Sequence, residues 1–527
     1  MSRPGFVLDV DRSTPPILFH KGEGFGLERL PVGTRVIYPP EPTPALADPD
    51  AAVRTALLGP LDSDPLPARL RPGMRLTIAF DDISLPLPPM RPPDNRARVI
   101  EAVLDTAAAA GVDDVELIAA TALHRRMTDP ELRRAVGARV FDAFAPRGLL
   151  YNLDAEDDDN MAVIGHTDEG ELVEINKRAA TSDLLVYVNI NLVAMDGGHK
   201  SVATGLAGYR SLRHHHNVRT MENSRSFMDL HRSALHHSNW RMGRLLAREG
   251  PPIFQIETTL NNDTFPKAFG FLQKREWEWS ARERGAYLAA ASGLERIPRR
   301  AARAIFERIE SPHAMSSVTA GEVEAVHKVT TDHVLRSQLV PVTGQTDILT
   351  MGLPYIGPYN VNSIMNPILV MCLGLGYFFN LYRNKPLVRA GGVVIMAHPT
   401  PWEFHPVHHP SYIDFFEQVL AQTTDPAEIE AKFEADFATD PWYIHLYRRS
   451  YAYHGVHPFY MWYWGAHALD HLGGVVVVGG DPAAVRRLGF KPASTLRDAL
   501  EMAEDVVGRD PSITHMHCPP LLMAEVT

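Results

Sequence analysis

The residues from Leu184 to Ser201 read Leu-Leu-Val-Tyr-Val-Asn-Ile-Asn-Leu-Val-Ala-Met-Asp-Gly-Gly-His-Lys-Ser and decide how we interpret the fold. The apolar run at their start, Leu184 to Val193, predicts a buried strand that ends in a turn. Gly197 and Gly198 let the backbone approach a ligand closely, and free amides where a helix begins attract anions such as phosphate. Taken alone, the motif also fits an ordinary turn with a solvated lysine, because the complete pattern of nucleoside triphosphatases is absent.

Strands and helices alternate along the chain before this stretch. Predicted strands run from Met74 to Phe80 and from Val115 to Ala119, and a predicted helix from 94 to 110 lies between them. Loops with polar residues follow both strands, and open parallel sheets bind ligands at such strand ends. The pattern predicts an α/β protein whose first domain is a doubly wound, mostly parallel sheet.

The chain of 527 residues is too long for a single core, and we predict two α/β domains. The first would span residues 1–339, with an inserted helical pair at about 264–317. The second would span residues 340–504, because strand patterns restart at Asp347 and Gly391. Residues 505–527 would pack back on the first domain.

Composition narrows the classes of function. The formal charge of -11 argues against a nucleic-acid partner, which would require a basic stripe. Two cysteines, Cys372 and Cys518, cannot build a disulfide framework or a zinc site based on cysteine. The longest apolar stretch, Pro367 to Phe379, is shorter than the roughly 20 residues that cross a bilayer, and no secretory signal is visible. We therefore expect a cytoplasmic protein with neither a membrane nor a nucleic-acid partner.

Histidine is unusually frequent, with 24 residues in the chain. A neutral imidazole binds metals and carries protons near pH 7. The cluster His405, His408 and His409 therefore suggests one alternative function, a zinc or manganese hydrolase. The signal is weak, because no His-Glu-x-x-His motif accompanies it and the prolines at 406 and 410 disfavour a regular helix.

Several short motifs follow one another in order through the first half of the chain. They are the loop from Asp82 to Pro88, the segment 120–128 that contains His124, the segment 197–201 that contains Lys200, and His216, sixteen positions after that lysine. In this order the sequence resembles the nickel-pincer lactate racemase family, whose motifs read Asp-x-x-Arg-Pro-x-Pro, Gly-x-His-Arg-x-Met-Thr and Gly-Gly-x-Lys-Ser. Several weak motifs that agree in order are more specific than any one of them.

The resemblance implies a small-molecule substrate with a hydroxyl group, and a cofactor made of nickel and pyridinium-3,5-bisthiocarboxylic acid mononucleotide. It implies that Lys200 forms a thioamide with one arm of the nucleotide and that His216 completes the coordination of nickel. His124 would accept the hydroxyl proton while hydride leaves the adjacent carbon for the cofactor, and hydride return to the opposite face inverts the carbon. The further predicted cofactor contacts are Asp82 and, at the phosphate, Gly197, Gly198 and Ser201.

Four positions depart from the family's pattern. Leu85 stands where the first loop of the family has an arginine, and Ile190, with Asn191 beside it, stands where the family has its second catalytic histidine. Met365 and Ile368 lie near its later glutamine and lysine. Each replacement removes a polar anchor, and asparagine cannot exchange a proton near pH 7. We therefore predict a racemase or epimerase of 2-hydroxy acids or related alcohols whose substrate is not lactate. An epimerase or redox isomerase that acts on a larger, less acidic alcohol fits these losses better.

Two questions stay open at this point. His199, His398 and His405 are candidates for the missing base, and the residues do not choose among them. Besides the hydrolase, the alternative function is a protein that binds or stores the cofactor through Lys200 and His216 but has lost turnover. The oligomeric state is not predicted.

Overall fold

The computed structural model describes residues 3–84 and 89–527, and the protein is a mixed α/β structure with two large sheets. The strands are, in chain order, β1 Phe6–Asp9, β2 Ile17–Gly22, β3 Gly24–Glu28, β4 Arg35–Tyr38, β5 Arg75–Asp81, β6 Asp114–Ala120, β7 Leu150–Asn152, β8 Met161–His166, β9 Leu172–Asn176, β10 Leu184–Asn191, β11 Ile253–Leu260, β12 Met315–Gly321, β13 Leu339–Val342, β14 Thr346–Pro354, β15 Tyr382–Arg383, β16 Val388–Ala397, β17 Gly474–Val478, β18 Lys491–Ala493, β19 Ile513–Met516 and β20 Met523–Val526.

Helices connect most of these strands. The α-helices of eight or more residues are Pro49–Leu58, Asn95–Ala109, Asp129–Val136, Ala234–Glu249, Ala281–Arg296, Arg299–Phe306, Val323–Gln338, Pro441–Arg449 and Leu496–Val507. Shorter helices near the site are Lys200–Gly205, Tyr209–Leu212, Val218–Asn223, Pro367–Met371 and His457–Tyr463. Within the described ranges, none of the helices combines the length and the hydrophobicity required to cross a bilayer.

The first sheet has six strands in the order β12-β11-β10-β5-β6-β7. The neighbours from β11 to β7 are parallel, and β12 pairs antiparallel with β11. β10 lies near the centre and is buried along its whole length, which explains why an unbroken apolar run predicted it. The predicted α/β class, with a mostly parallel first sheet, is confirmed.

The second sheet contains strands from near both ends of the chain, which differs from the predicted division at residues 339 and 505. Its main path is β1-β4-β19-β14-β16-β17-β18, and β2 pairs with β14. The strands β1, β4 and β19 thus belong to the sheet of the second half, whereas the last strand, β20, pairs with β13 and β15. The reason is that a strand must pair its backbone amides and carbonyls with some neighbour, and the local pattern of residues does not reveal which sheet supplies that neighbour.

The predicted helical insertion lies between β11 and β12. It consists of two 3₁₀ segments, Lys267–Gln273 and Glu276–Glu278, followed by the helices Ala281–Arg296 and Arg299–Phe306. Ser280 starts the first of these helices with a capping box that includes Glu283. Trp279 and Tyr287 pack with Leu18 of β2, so the insertion packs against the second sheet.

Glu276, in the insertion, forms hydrogen bonds with residues from near both ends of the chain. Its buried carboxylate accepts hydrogen bonds from the Leu18 amide at 2.9 Å and from the Tyr38 hydroxyl at 2.6 Å. It also lies 2.9 Å from Nε2 of His517. Burial disfavours the charged carboxylate, but His517 and the two donors outweigh this effect, and the pKa of Glu276 is lowered.

We expect Glu276→Gln to lower the free energy of unfolding by about 2 to 3 kcal/mol, because hydrogen bonds to a buried charge are lost. Since the folded-state pKa lies below the usual 4.5, the contribution is complete above pH 4.5 and is lost as the pH falls through the folded-state value. Chemical denaturation at pH 7 and at pH 4 measures both effects. Glu278→Gln, at a partly exposed ion pair with Arg3, is the matched control and should change stability by less than about 1 kcal/mol.

Candidate active site

A cavity of about 590 Å³ lies at the carboxyl end of the first sheet. Its polar wall comes from residues at the ends of β5, β6 and β10, which are neighbours in that sheet. The second half of the chain adds aromatic side chains, among them Tyr359, Tyr377 and Trp464. The predicted loops therefore meet at the edge where parallel sheets bind ligands.

Most of the predicted site residues line this one cavity. They are Asp82, His124, Gly197, Lys200, Ser201 and His216. They come from positions up to 134 apart in the sequence and are brought together because β5, β6 and β10 end side by side. Their roles in catalysis and binding stay predictions.

His124 is held by a buried carboxylate. Its Nδ1 lies 2.8 Å from Oδ2 of Asp82, and its side chain is 23% exposed, whereas Asp82 is buried. Burial opposes the charge on Asp82, but His124 and hydrogen bonds from Ser84 outweigh it, so that the pKa of Asp82 is lowered. An ionised carboxylate at Nδ1 fixes the tautomer in which Nε2 is free to accept a proton. Asp82 is predicted as a cofactor contact. Its hydrogen bond indicates instead that it orients His124.

Lys200 begins a short helix, and among the described residues its amine makes one hydrogen bond, to a backbone carbonyl. Its Nζ donates to the carbonyl of Met195 at 3.3 Å. The nearby Asp196 accepts from the amides of Leu192 and Val193, both at 3.0 Å. Burial raises the pKa of Asp196, although the charge of Lys200 opposes the rise. The lysine therefore faces the cavity with its amine available for another bond.

His216 reaches the same cavity because the chain bends twice after Lys200. One helix ends at Gly205 and a second begins after Gly208, as the predicted bend requires. Nδ1 of His216 lies 2.9 Å from Nδ1 of His215. Burial lowers the pKa of His216 well below its usual value, and His215 adds to the effect. A neutral imidazole has a lone pair that can bind a metal ion.

The predicted phosphate site is not supported by the hydrogen bonds of its residues. The amide of Gly198 donates to Oε1 of the buried Glu257 at 2.7 Å, and the hydroxyl of Ser201 donates to Oδ1 of Asn189 at 2.6 Å. Both donors already have acceptors, and the carboxyl group of Glu257 would repel a phosphate. Gly197 has φ of +84°, and a Cβ there would collide with Glu257, so a tight turn explains this glycine.

The position assigned to the family's second catalytic histidine points away from the cavity. Ile190 is fully buried and packs with Met90 and Leu260. Side chains alternate along a strand, and the neighbour Asn189 lines the cavity instead. Asn189 donates to Asp81 and accepts from Ser201, so it orders the polar wall but cannot exchange a proton.

The three histidines predicted as a replacement base lie elsewhere. His199 pairs with Glu324 at 3.2 Å, and Nδ1 of His398 accepts from the amide of Thr400 at 2.8 Å. The ring of His405 stacks on that of His408 with centroids 3.7 Å apart. None of the three histidines is among the described residues that line the cavity.

The cluster His405, His408 and His409 does not have the geometry of a metal site. His409 is buried, and its Nδ1 interacts with the side-chain amide of Asn366 at 3.2 Å. Across residues 3–84 and 89–527, no group of three or more His, Cys, Asp or Glu side chains is arranged to hold a metal ion. The hydrolase interpretation therefore has no ligand set in the described part of the chain.

The departures in the second half are buried, and one departure lies outside the described residues. Met365 and Ile368 are 2% and 0% exposed and belong to the main hydrophobic core. Neither is among the residues that line the cavity. Leu85, like the rest of segment 85–88, lies outside the described residues.

Sequence reasoning missed several titratable residues of the cavity wall, among them Asp81 and His20. Asp81, next to Asp82 at the end of β5, is buried, and burial raises its pKa to about 7. His20, from β2, is buried with an unpartnered Nε2, and burial lowers its pKa to about 3. The two adjacent aspartates at a strand end were a usable signal for Asp81. Nothing near His20 in the sequence indicates that β2 reaches this cavity.

Two residues of the cavity have the chemistry that the predicted cofactor would need, namely an amine for the covalent bond and a neutral imidazole for the metal ion. The cavity volume lies in the range of cofactor sites. Lys200 has a carbonyl acceptor rather than a carboxylate within hydrogen-bond distance, and His216 is neutral. The rings of Tyr377 and Trp464 stack with centroids 5.6 Å apart and supply an apolar wall.

Comparisons with known proteins find similar sequences and a similar fold. Residues 26–229 match the family model of the lactate racemase N-terminal domain. The lactate racemase of Lactiplantibacillus plantarum is 25% identical over 217 residues, which are 40% of this chain and 48% of the relative. The match thus spans about half the length of that curated relative.

A solved structure extends the likeness to the whole fold. The lactate racemase apoprotein of Thermoanaerobacterium thermosaccharolyticum superposes with a TM-score of 0.63 over 97% of this chain and 99% of its own length, at 18% identity. At this identity the likeness concerns the fold alone. Residues 26–229 therefore match a lactate racemase N-terminal domain, and the fold of the whole chain is similar to that of the lactate racemase apoprotein.

Proposed function

We propose that the protein is a racemase or epimerase that uses a nickel-pincer nucleotide to invert a hydroxyl-bearing carbon, and that its substrate is not lactate. The observation that carries the proposal is that Lys200, His216 and His124 line one cavity, although they lie far apart in the sequence. Lys200 would hold the nucleotide covalently and His216 would bind nickel. When bound, the cofactor supplies a hydride acceptor that the twenty amino acids lack.

Residues of the protein itself would accept and return the hydroxyl proton of the substrate. His124 would accept the hydroxyl proton at Nε2 as hydride leaves the carbon, and would return it when hydride comes back to the other face. Asp82 would hold the ring and stabilise the imidazolium that forms. Burial raises the pKa of Asp81, which also lies in the polar wall, to about 7, so that this carboxyl group can change charge near neutral pH.

A second candidate function is a protein that binds the cofactor without turnover. The observation that favours it is that Ile190, at the position assigned to the second base, faces the core, while its neighbour Asn189 lines the cavity and cannot exchange a proton. Loaded protein that leaves single enantiomers of secondary alcohols and 2-hydroxy acids unchanged would support this candidate.

The proposal is tested by making the protein together with the cofactor-synthesising enzymes. Intact-mass measurement should find an adduct, peptide mapping should locate it at Lys200, and metal analysis should find about one nickel ion for each chain. Protein made without those enzymes is the control and should have neither. A clean mass and background nickel under both conditions would contradict the proposal.

For His216→Ala we expect the adduct on Lys200 to remain while nickel falls to a tenth or less of the wild-type content. The reason is that one of the metal ligands is removed, whereas the amine that reacts with the nucleotide is untouched. Metal analysis and intact mass on the same sample measure both quantities. His215→Ala, at the adjacent buried histidine, is the control and should retain more nickel than His216→Ala. Equal nickel in His216→Ala and wild type would remove His216 from the metal site.

A further inference from the structure

The cavity wall formed by the helical insertion is apolar. Twelve residues between 264 and 309 line the cavity, and Thr264 is the one with a polar side chain. We use the name insertion wall for six of these residues, namely Phe265, Phe269, Leu294, Ile297, Ile305 and Phe306. The polar and charged lining residues come from other segments, mainly the ends of β5 and β10 and the helix that begins at Lys200. The cavity is therefore polar and charged at the sheet and apolar at the insertion.

The insertion wall borders open space. Ile305 is 50% exposed, and a Cβ added at Gly293, next to Leu294, would meet no atom within 4 Å. When an apolar ligand group displaces water from apolar side chains that line a cavity, the free energy of binding becomes more favourable. The wall thus has both the room and the chemistry for an apolar group larger than a methyl.

The charges in the rest of the cavity disfavour a carboxylate ligand. Asp81, Asp82 and Asp196 line it, whereas Lys200 is the one lysine or arginine among the described lining residues. Since the proposed function commits Lys200 to the cofactor, no lysine or arginine of the described lining would remain to pair with a carboxylate ligand. A neutral ligand needs no such partner.

We infer that the substrate is an uncharged secondary alcohol on a large apolar skeleton. Its hydroxyl lies at His124 and its apolar group covers the insertion wall. The inference rests on the proposed function for the chemistry at the carbinol carbon, while the apolar binding can be measured without it. Lactate, which has a carboxylate and a single methyl group, matches neither part of the cavity.

Calorimetric titration of the chain, with and without loaded cofactor, tests the binding. The ligands are the 2-alkanols from 2-butanol to 2-octanol, together with lactate and 2-hydroxyoctanoate. We expect the affinity to rise about threefold to fourfold with each methylene, and 2-octanol to bind at least tenfold more tightly than 2-hydroxyoctanoate. Affinity that does not change with chain length, or tighter binding of the acid, would overturn the inference.

Two glycines of the helix Ala281–Arg296 form a matched pair of sites for substitution. A Cβ added at either Gly293 or Gly285 meets no atom within 4 Å, but Gly293 lines the cavity and Gly285 does not. Both replace a helical glycine, so both variants should fold. We expect Gly293→Phe to weaken 2-octanol binding at least tenfold and to leave 2-butanol within twofold. Gly285→Phe should leave both within twofold, and equal effects of the two variants would overturn the inference.

Ile297→Trp adds volume at the insertion wall itself and should discriminate against 2-octanol in the same way if Gly293→Phe fails to fold. Turnover is followed separately, by chiral chromatography of one enantiomer of 2-octanol with loaded protein. Length-dependent binding without an adduct on Lys200 supports the apolar site and contradicts the proposed function. If the adduct on Lys200 forms but the affinity for 2-alkanols does not depend on their chain length, the inferred substrate class alone is overturned. The same holds if the adduct forms and 2-octanol binds but keeps its enantiomeric purity.

Discussion

His124→Asn is expected to lower the rate of racemisation by about 10²–10⁴-fold while the adduct on Lys200 and the nickel content stay at wild-type levels. Asparagine keeps a polar group near the position of Nδ1, so the contact with Asp82 can persist, but it cannot accept a proton at neutral pH. Loss of a positioned general base accounts for a factor of this size. Chiral chromatography of a single enantiomer measures the rate, and intact mass and metal analysis establish that the site is loaded.

The partner Asp82 gives this prediction an internal control. Asp82→Asn should reduce the rate and change its pH dependence, because an amide can fix the other tautomer of the ring. If the two residues work as a unit, the double variant Asp82→Asn with His124→Asn should be no slower than His124→Asn alone. A rate in loaded His124→Asn within threefold of wild type would remove His124 from the proton transfer.

Lys200→Ala is expected to eliminate the adduct, to bring nickel to background and to lower racemisation by at least about 10⁴-fold. The cofactor performs the hydride chemistry, and without its covalent anchor the protein retains acid and base groups alone. Peptide mapping, metal analysis and chiral chromatography on one preparation measure the three effects.

Lys177→Ala is the matched control for Lys200→Ala. Nζ of Lys177 also donates to a backbone carbonyl, that of Asp159 at 3.1 Å, but Lys177 does not line the cavity. This variant should retain adduct, nickel and activity within twofold of wild type. An adduct of unchanged mass that maps to another residue in Lys200→Ala would show that the nucleotide is attached elsewhere.

Local sequence was sufficient for the elements whose signals are local. The buried strand before Gly197, the turn after it and the order of the motifs around His124, Lys200 and His216 could be predicted, because burial and turn formation act on neighbouring residues. The helical insertion was predicted for the same reason, since its composition differs from that of its surroundings. These features also sufficed for the resemblance to the family.

Long-range pairing and side-chain direction required the structure. The strands β4 and β19, from near the two ends of the chain, pair with each other in the second sheet, a contact across more than 470 residues. A shift of one residue along β10 separates Asn189, which lines the cavity, from Ile190, which faces the core. The hydrogen bond of Glu257 to the Gly198 amide, which argues against the predicted phosphate site, comes from another strand.

The sequence by itself predicted the α/β class and the three residues on which the proposed chemistry rests, because the motifs that contain them follow one another in order. The tertiary structure alone decided that these residues meet in one cavity and that the insertion supplies its apolar wall. Apolar residues such as Ile297 and Phe306 look alike in sequence whether they fill a core or border open space. Packing distinguishes the two cases, since it depends on which distant segments surround each side chain.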